Sequence, residues 1–404
     1  MFYAVSLSNN SSLESLVCYL NSHYGIQIHK QSLDGRFTER TVYFVKAVLE
    51  RLICEQFSEK LFAGDFLSHY NHVRIKDSTT FKAPSNLAIH YKGRGGTAGI
   101  SIQYEFDLKT GKFLDLTFSG ACDNDQGNAR DTAENICKND LILRDLGYFS
   151  TGVFKKISEA EACFLSRLQA ATAVYEENNI EVDFKQLYTF MTKNGIEKLE
   201  KQVFIGKDKL PVRLFIGLVP SQVYQERIRR KEKEEKNRGC KMKDRTKFLL
   251  HFNLFVTNVE AEKLPAEKIM PLYRFRWQIE LMFKNWKSVF SIHNLQKMKE
   301  NRYVTMLYIR LILIIVNLQI INQVQYTLSK QGEKDAVLSY RKTLQTLKNS
   351  FSEILKILRY SQQEAIKLLG QICQMLSKNH WREKRKNREN YVDNICLFIC
   401  ISEK

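Results

Sequence analysis

The stretch ISIQYEFDLKTGKFLDLTFSG, residues 100–120, alternates apolar and polar side chains on both sides of Lys109-Thr110-Gly111-Lys112. A period of two puts alternate side chains on opposite faces of a pleated strand, and a glycine-containing break reverses the chain, so the stretch predicts a β-hairpin. Upstream, HVRIKDSTTF (72–81) alternates so that Val73, Ile75 and Asp77 point to one side. Downstream, a polar loop leads to residues 128–138, whose pattern predicts a helix. DLILRDLGYFS (140–150) then predicts a short apolar strand on which Leu141, Leu143 and Asp145 share a face. A further helix is expected around 151–160 and a strand near CFLSRL (163–168). Two carboxylates, Asp77 and Asp145, therefore each fall at a strand end.

The order strand, hairpin, helix, strand, helix, strand, with acids on the first and fourth strands, is the layout of an RNase H-like α/β core, a mixed sheet flanked by helices. The rest of the chain is organised around it. Residues 1–66 are expected to form a helical N-terminal region, with apolar-periodic stretches punctuated by Gly25 and Gly35. A small DNA-binding module and helices that merely pack on the next domain are both open readings there. The first part of the core spans 67–169. Residues 170–250 read as a β-rich insertion, with pieces such as KQVFIGKDKLPVRLFIGLV (201–219), ending in a basic run. From Glu226 to Lys247 that run holds eleven lysines and arginines against five acids, the pattern of a solvated helix or loop or of a phosphate-facing surface. FLLHFNLFVTN (248–258) leads back into the core, which occupies 251–300, and Pro265 suits a helix start. Residues 301–404 are expected to be helical, with a continuous helical pattern over 303–376 and a basic WREKRKNR at 381–388.

The helix after Pro265 carries YRFRWQIELMFKNWK (273–287). At about 100° per residue, Tyr273, Arg276, Glu280 and Lys287 fall within an arc of roughly 60°. Ile279, Met282, Phe283, Trp286 and Phe290 run beside them and supply an apolar face for a core. A solvated ladder of ion pairs is one reading of such a stripe. The other is a carboxylate for a metal ion, flanked by cations and a tyrosine that face a polyanion. Asp77, Asp145 and Glu280 would together present hard oxygen donors suited to Mg²⁺. Two such ions, roughly 4 Å apart, activate an attacking oxygen and stabilise the leaving oxygen at a phosphodiester.

Composition supports a polyanionic partner. The 404 residues carry 62 lysines and arginines against 44 acids, a formal charge of +18, enough chain for two or three domains. The basic residues are spread over the whole chain rather than gathered on one amphipathic helix, so nucleic acid is expected and a membrane surface is not. No secretory leader is visible at the N-terminus, and MLYIRLILIIVNLQII (306–321) carries Arg310 and Asn317, so it reads as a buried helix rather than a span. Nine cysteines without a CxxC pair read as reduced thiols, consistent with a cytoplasmic, nucleoid-associated protein.

At these residues the chain resembles the DDE transposases of bacterial insertion sequences, in particular insertion-sequence family four with its YREK signature. Tyr273, Arg276, Glu280 and Lys287 match the signature spacing of Tyr, two residues, Arg, three residues, Glu, six residues, Lys. Asp77 with Thr79 matches the D-x-T context of the family's first aspartate, and Asp145 in RDLGYF matches the second, which precedes Gly-Tyr. The resemblance covers about residues 70 to 300. It implies metal ligation by Asp77, Asp145 and Glu280, and phosphate contacts from Tyr273, Arg276 and Lys287, with Lys284 near the edge of the stripe. It implies Mg²⁺ or Mn²⁺, two ions, hydrolysis at the element's ends and attack of the freed 3′ hydroxyl on target DNA. It also implies cut-and-paste transposition by a homodimer on paired inverted repeats. Relatives that pass through a DNA hairpin place a tryptophan in the insertion beside a flipped base. Here the tryptophans are Trp277, Trp286 and Trp381, so Tyr188, Phe190, Phe204 or Phe215 would have to serve, or the second strand is cut otherwise. The N-terminal region reads as shorter than in members with a fuller end-binding region.

Other signals lead elsewhere and are set aside. GRGGTA (93–98) satisfies a dinucleotide-binding pattern, yet a strand follows it where a phosphate-binding turn opens into a helix. The eight histidines show no zinc spacing, and there is no nucleophile elbow or Walker loop. Two rivals remain: a nuclease with the same core that never joins strands, and a non-catalytic DNA-binding protein derived from a transposase.

Overall fold

Helix α1 (Leu13–Tyr24) starts where the Ser12 hydroxyl accepts the Ser15 N–H at 3.1 Å, and stops where Gly25 takes the left-handed φ of 65°. The chain is described here from a computed structural model, which covers residues 12–55, 67–110, 112–123, 133–239, 242, 244–330, 338–350 and 361–381. After α1 come α2 (Lys30–Asp34), α3 (Glu39–Cys54), strand β1 (Val73–Lys82) and the hairpin of β2 (Gly99–Asp107) and β3 (Phe113–Gly120). β4 (Leu141–Arg144), α4 (Thr151–Glu159) and β5 (Cys163–Arg167) form a strand-helix-strand crossover with the two strands parallel. β6 (Val174–Tyr175), α5 (Phe184–Lys193), β7 (Lys198–Ile205), β8 (Leu210–Leu218), α6 (Ser221–Arg238) and α7 (Asp244–Leu249) fill the expected insertion. β9 (Phe252–Thr257), α8 (Ala266–Arg274), α9 (Arg276–Val289), α10 (Glu300–Lys330), α11 (Tyr340–Asn349) and α12 (Gln362–Asn379) complete the chain. The nine strands lie in one mixed sheet in the order β3-β2-β1-β4-β5-β9-β8-β7-β6.

The chain divides into two compact units. The first holds Met1–Asp65, Lys76–Asp123 and Trp277–Lys404, and the second holds Phe66–Ile75 and Asn124–Arg276. In the first unit every residue of β2 is buried, as in a strand covered on both faces. Lys76 of the neighbouring β1 is fully buried and lies 3.4 Å from Asp115 on β3, which faces Glu105 across the hairpin. Helix α10 is the core helix of this unit and packs against α3. Among the described residues it is the one helix long and apolar enough to cross a membrane, and 78% of its apolar window is buried inside the protein. The Arg310 guanidinium is buried too, donating to the carbonyls of Ser291 and Asn294, and the Asn317 amide donates to the Leu313 carbonyl at 2.7 Å.

The second unit is built on β4, β5 and β9, with Ile142, Phe154, Phe164 and Val256 at its core. The insertion strands share that core through Val203, Val212 and Leu214. β8 pairs with β9 from Arg213 opposite Thr257 to Leu218 opposite Phe252, so the insertion extends the sheet rather than forming one of its own. The helix expected over 128–138 is not found in its described part, where Ala133–Asn135 is a single 3₁₀ turn. The Asp140 carboxylate takes the Cys137 N–H at 3.1 Å, and Arg74 donates to the Asn135 carbonyl at 2.5 Å, which turns the backbone into β4 before a helix can propagate. Residues 128–132 of that expectation lie outside the described residues, as do residues 382–388 of the basic C-terminal run and Cys240, Cys396 and Cys400. The six described cysteines, Cys18, Cys54, Cys122, Cys137, Cys163 and Cys373, are free thiols.

Buried phenols make the first unit sensitive to alkali. Burial pushes Tyr91, Tyr303 and Tyr308 up to about 12, with Glu300 adding to the effect on Tyr91. The folded state holds these groups neutral, while in the unfolded chain they ionise near pH 10. Their contribution to stability is therefore complete below about pH 10 and is lost as pH rises towards 12. Unfolding followed by circular dichroism is expected to coincide with the rise in tyrosinate absorbance; tyrosines that titrate while the fold persists would contradict it.

Candidate functional site

In the second unit the sequence-predicted residues meet at the carboxyl end of β4. Asp145 is the first residue past the strand, half-buried, and its carbonyl accepts the Tyr148 N–H at 3.0 Å to start a 3₁₀ turn. Its carboxylate lies 3.6 Å from Nε of Arg276, whose side chain is 12% exposed. Tyr273 is buried, and its hydroxyl donates to the Arg144 carbonyl at 3.2 Å, tying α8 to the last residue of β4. The Tyr273 ring meets Phe255 of β9 edge-on at 5.1 Å, and the Arg276 guanidinium lies 5.8 Å from the ring centre. Burial raises the Tyr273 phenol to about 12, against the opposing pull of Arg276.

One expectation is corrected here. The stripe from Tyr273 to Lys287 is not one helix, because α8 ends at Arg274 and α9 begins at Arg276. Pro271 inside α8 lacks an N–H and crowds the carbonyl one turn back, and the Phe275 N–H bonds Leu272 at 3.1 Å in a tightened last turn. The Tyr273 ring packs on Phe255 and its hydroxyl donates to a backbone carbonyl, so in the free chain it positions the end of β4.

The first unit holds the remaining residues. Asp77, expected at a strand end, is instead half-buried in the middle of β1, because the strand runs on to Lys82; its carboxylate accepts the Ser78 N–H at 2.8 Å. Glu280 and Lys284 are exposed on α9. Lys287, two turns beyond Glu280, donates to the Thr80 carbonyl of β1 at 3.2 Å, and burial holds its ammonium below the ordinary lysine range. The apolar face expected of this helix is buried at Phe283, Trp286 and Phe290; the side chains of Ile279 and Met282 lie outside the described residues. Trp286 is fully buried against Tyr104 at 5.3 Å and Phe113 at 5.9 Å, and its indole N–H donates to the Tyr340 hydroxyl at 3.4 Å. Phe283 meets Tyr104 edge-on at 4.9 Å. The face of α9 opposite Glu280 and Lys284 is thus fastened to the hairpin. Burial, and then the charges of Lys287 and Arg310, also lower His293, marking this part of the unit as electropositive.

Asp77, Asp145 and Glu280 carry the hard carboxylate oxygens that suit a divalent cation. Among the described residues no three His, Cys, Asp or Glu side chains are gathered at ligating spacing. Asp145 has Arg276 as its counter-charge instead. Sequence reading did not single out Arg167, which ends β5 opposite Phe255 of β9. The signal was a lone basic residue closing an apolar strand, and its meaning depends on the β4–β5 register, which only the fold supplies.

Residues 71–318 match the family described as the transposase DDE domain. The chain is 29% identical to the transposase for insertion sequence element IS231B of Bacillus thuringiensis subsp. berliner, over 95% of this chain and 84% of that one. It is 27% identical, with the same coverage, to the transposase for IS231E of Bacillus thuringiensis subsp. finitimus. The similarity extends to the transposase for IS1151 of Clostridium perfringens, 26% identical over 83% of this chain and 75% of the relative.

Proposed function

The chain belongs to the transposase DDE-domain family, and from that premise we propose that this insertion-sequence DNA transposase works by cut and paste, with Asp77, Asp145 and Glu280 as its metal-holding carboxylates. The reading rests most on one observation within the first unit. Phe283 and Trp286 lock α9 to the hairpin while Lys287 bonds β1 three residues from Asp77, so the helix of one acid is fixed to the strand of another.

The chemistry of this family uses divalent metal ions; Mg²⁺ or Mn²⁺ held by the three carboxylates would activate an attacking oxygen and stabilise the leaving one. The chain's own residues do the remaining work. Arg276 pairs with Asp145 and holds it in place, and Tyr273 fixes the strand end from which Asp145 emerges. Lys284 and Lys287 lie on the same helix as Glu280 and would hold the phosphates of the strand being cut, with Arg276 exchanging its carboxylate partner for a phosphate. The surplus of positive charge would bind the inverted repeats and then the target along their backbones, as a homodimer on paired ends at chromosomal DNA.

The test uses purified protein with Mg²⁺ or Mn²⁺, DNA bearing the repeats that flank its gene, and a target plasmid. Cleaved ends together with covalent donor-to-target products are expected. Cleavage without joining would leave a nuclease, and specific binding without cleavage would leave a DNA-binding protein derived from a transposase.

A further inference from the structure

Helix α3 in the first unit has two apolar faces. The inner one buries Val45 and Leu49 and packs against α10, with Val42, Val48 and Leu52 half-buried beside them. The outer one is not the polar face usual for a surface helix. At about 100° per residue, Arg40, Tyr43, Phe44, Ala47, Glu50 and Arg51 fall on one stripe, and every one of them is exposed. Tyr43 is 69% and Phe44 67% exposed, two adjacent rings in water with a small alanine one turn on. Single exposed apolar residues need no explanation, but such a patch on an open helix face marks a surface that is covered in use.

The charges around the patch say what covers it. From Glu39 to Glu55 the helix carries three cations, Arg40, Lys46 and Arg51, and three acids, so it is neutral in a chain of net charge +18. Carboxylates beside the rings repel a nucleic-acid backbone, whereas mixed charge suits a protein surface. Lys46 and Glu50 pair at 3.6 Å and Arg51 pairs with Glu55, all of them exposed, and such surface pairs exchange partners at little cost. The stripe is also complementary to itself. Two copies of α3 crossing antiparallel on a two-fold axis at Ala47 bring Glu50 opposite the partner's Tyr43 and Arg51 opposite the partner's Phe44, and each contact occurs twice. The phenol then donates to the carboxylate, and the guanidinium covers the phenyl ring. Two turns out, about 10 Å from the axis, Arg40 meets the partner's Glu55. Ala47, with only a methyl group, lets the helices approach at the centre.

We propose that the outer face of α3 is a docking surface for a second copy of this chain, closing a two-fold dimer through the N-terminal helices. The proposal rests on the transposase reading for the homodimer it serves, and adds to it the surface on which the two copies meet.

The experiment measures the dissociation constant of the full chain by sedimentation velocity without DNA, beside Ala47→Glu, Arg40→Glu and Glu55→Arg. Ala47→Glu sets two carboxylates against each other at the axis and is expected to weaken the dimer by about tenfold or more. Its circular dichroism is expected to match the parent's, because the position is exposed. Arg40→Glu and Glu55→Arg each place like charges at both ends of the crossing and are each expected to weaken the dimer about tenfold. Their equimolar mixture is expected to return to within about threefold of the parent, since positions 40 and 55 again face opposite charges. A chain damaged in its folding is not restored by mixing. A parent that stays monomeric across the micromolar range, or an Ala47→Glu protein that dimerises as tightly as the parent, would overturn the proposal. Variants that dimerise like the parent but lose affinity for a DNA duplex of arbitrary sequence would also overturn it and give the face to DNA. A monomeric parent that still joins DNA ends removes the proposal and leaves the transposase reading standing. A dimer undone by Ala47→Glu in a protein that never cleaves does the reverse.

Discussion

Glu280→Gln is expected to abolish cleavage of element-end DNA, a loss on the order of a thousandfold or more, while leaving DNA binding and the fold intact. The substitution keeps the size and helix propensity of the side chain. Glu280 is exposed on α9, and exposed replacements ordinarily move stability by less than about 0.5 kcal/mol. What changes is the charge and donor strength of one carboxylate proposed to hold a cation that supplies several kcal/mol of transition-state stabilisation, at roughly 1.4 kcal/mol per tenfold in rate. Binding measured beside cleavage separates the two, and loss of a negative charge from a helix proposed to face DNA is expected to leave affinity equal or slightly higher. Cleavage by the variant within tenfold of the parent would remove Glu280 from the reaction.

Trp286→Ala is expected to lower stability by about 3–5 kcal/mol, the usual cost of deleting a large buried ring. Trp286 is fully buried, touches Tyr104, Phe113 and Phe283, and donates its indole N–H to Tyr340. Its removal opens a cavity beneath the turn that presents Lys287 and leaves the Tyr340 hydroxyl without its donor. Trp286→Phe is expected to retain most of the stability, because a smaller ring still fills much of the space. Denaturant midpoints of the three proteins check this; a loss under about 1 kcal/mol for the alanine variant would mean that the ring does not fasten α9. Activity of the alanine variant is expected to return in part at low temperature, since the fault lies in the seating of the helix rather than in the chemistry.

Local alternation and local punctuation carried much of the fold. The hairpin of β2 and β3 is readable because its two halves alternate around a glycine-containing turn, β1 because it alternates too, and β4, β5 and β9 because short apolar runs end at polar residues. The candidate site was readable where residue types and spacing suffice, which is why Asp145 and Arg276 were both singled out before the fold showed them as partners at 3.6 Å. What escaped depends on distant pairing. Nothing near Phe215 or Leu214 announces that β8 will lie against β9, so an insertion that extends the sheet reads as a separate body. Periodicity runs undisturbed through Phe275, whose backbone stays in the right-handed helical region at φ −57°, so the break between α8 and α9 leaves little trace in hydropathy. The burial of Tyr273 is decided by Phe255, eighteen positions upstream on a strand. The exposure of Arg167 to Arg227 likewise requires α6 to be docked onto the start of β9.

The first unit takes its chain from three separate segments, and the last of them begins only at Trp277, after the whole of the second unit has passed. During synthesis on the ribosome, the second unit can therefore close as soon as Arg276 has emerged, while β2 and β3 wait for the helices that cover them. A nascent protein arrested before α9 would carry Asp145 on a finished body and Asp77 on an unfinished one, with no Glu280 at all. Cutting by the three proposed carboxylates would thus require α9 to have joined the first unit, so a chain that has finished its second unit still lacks the complete set.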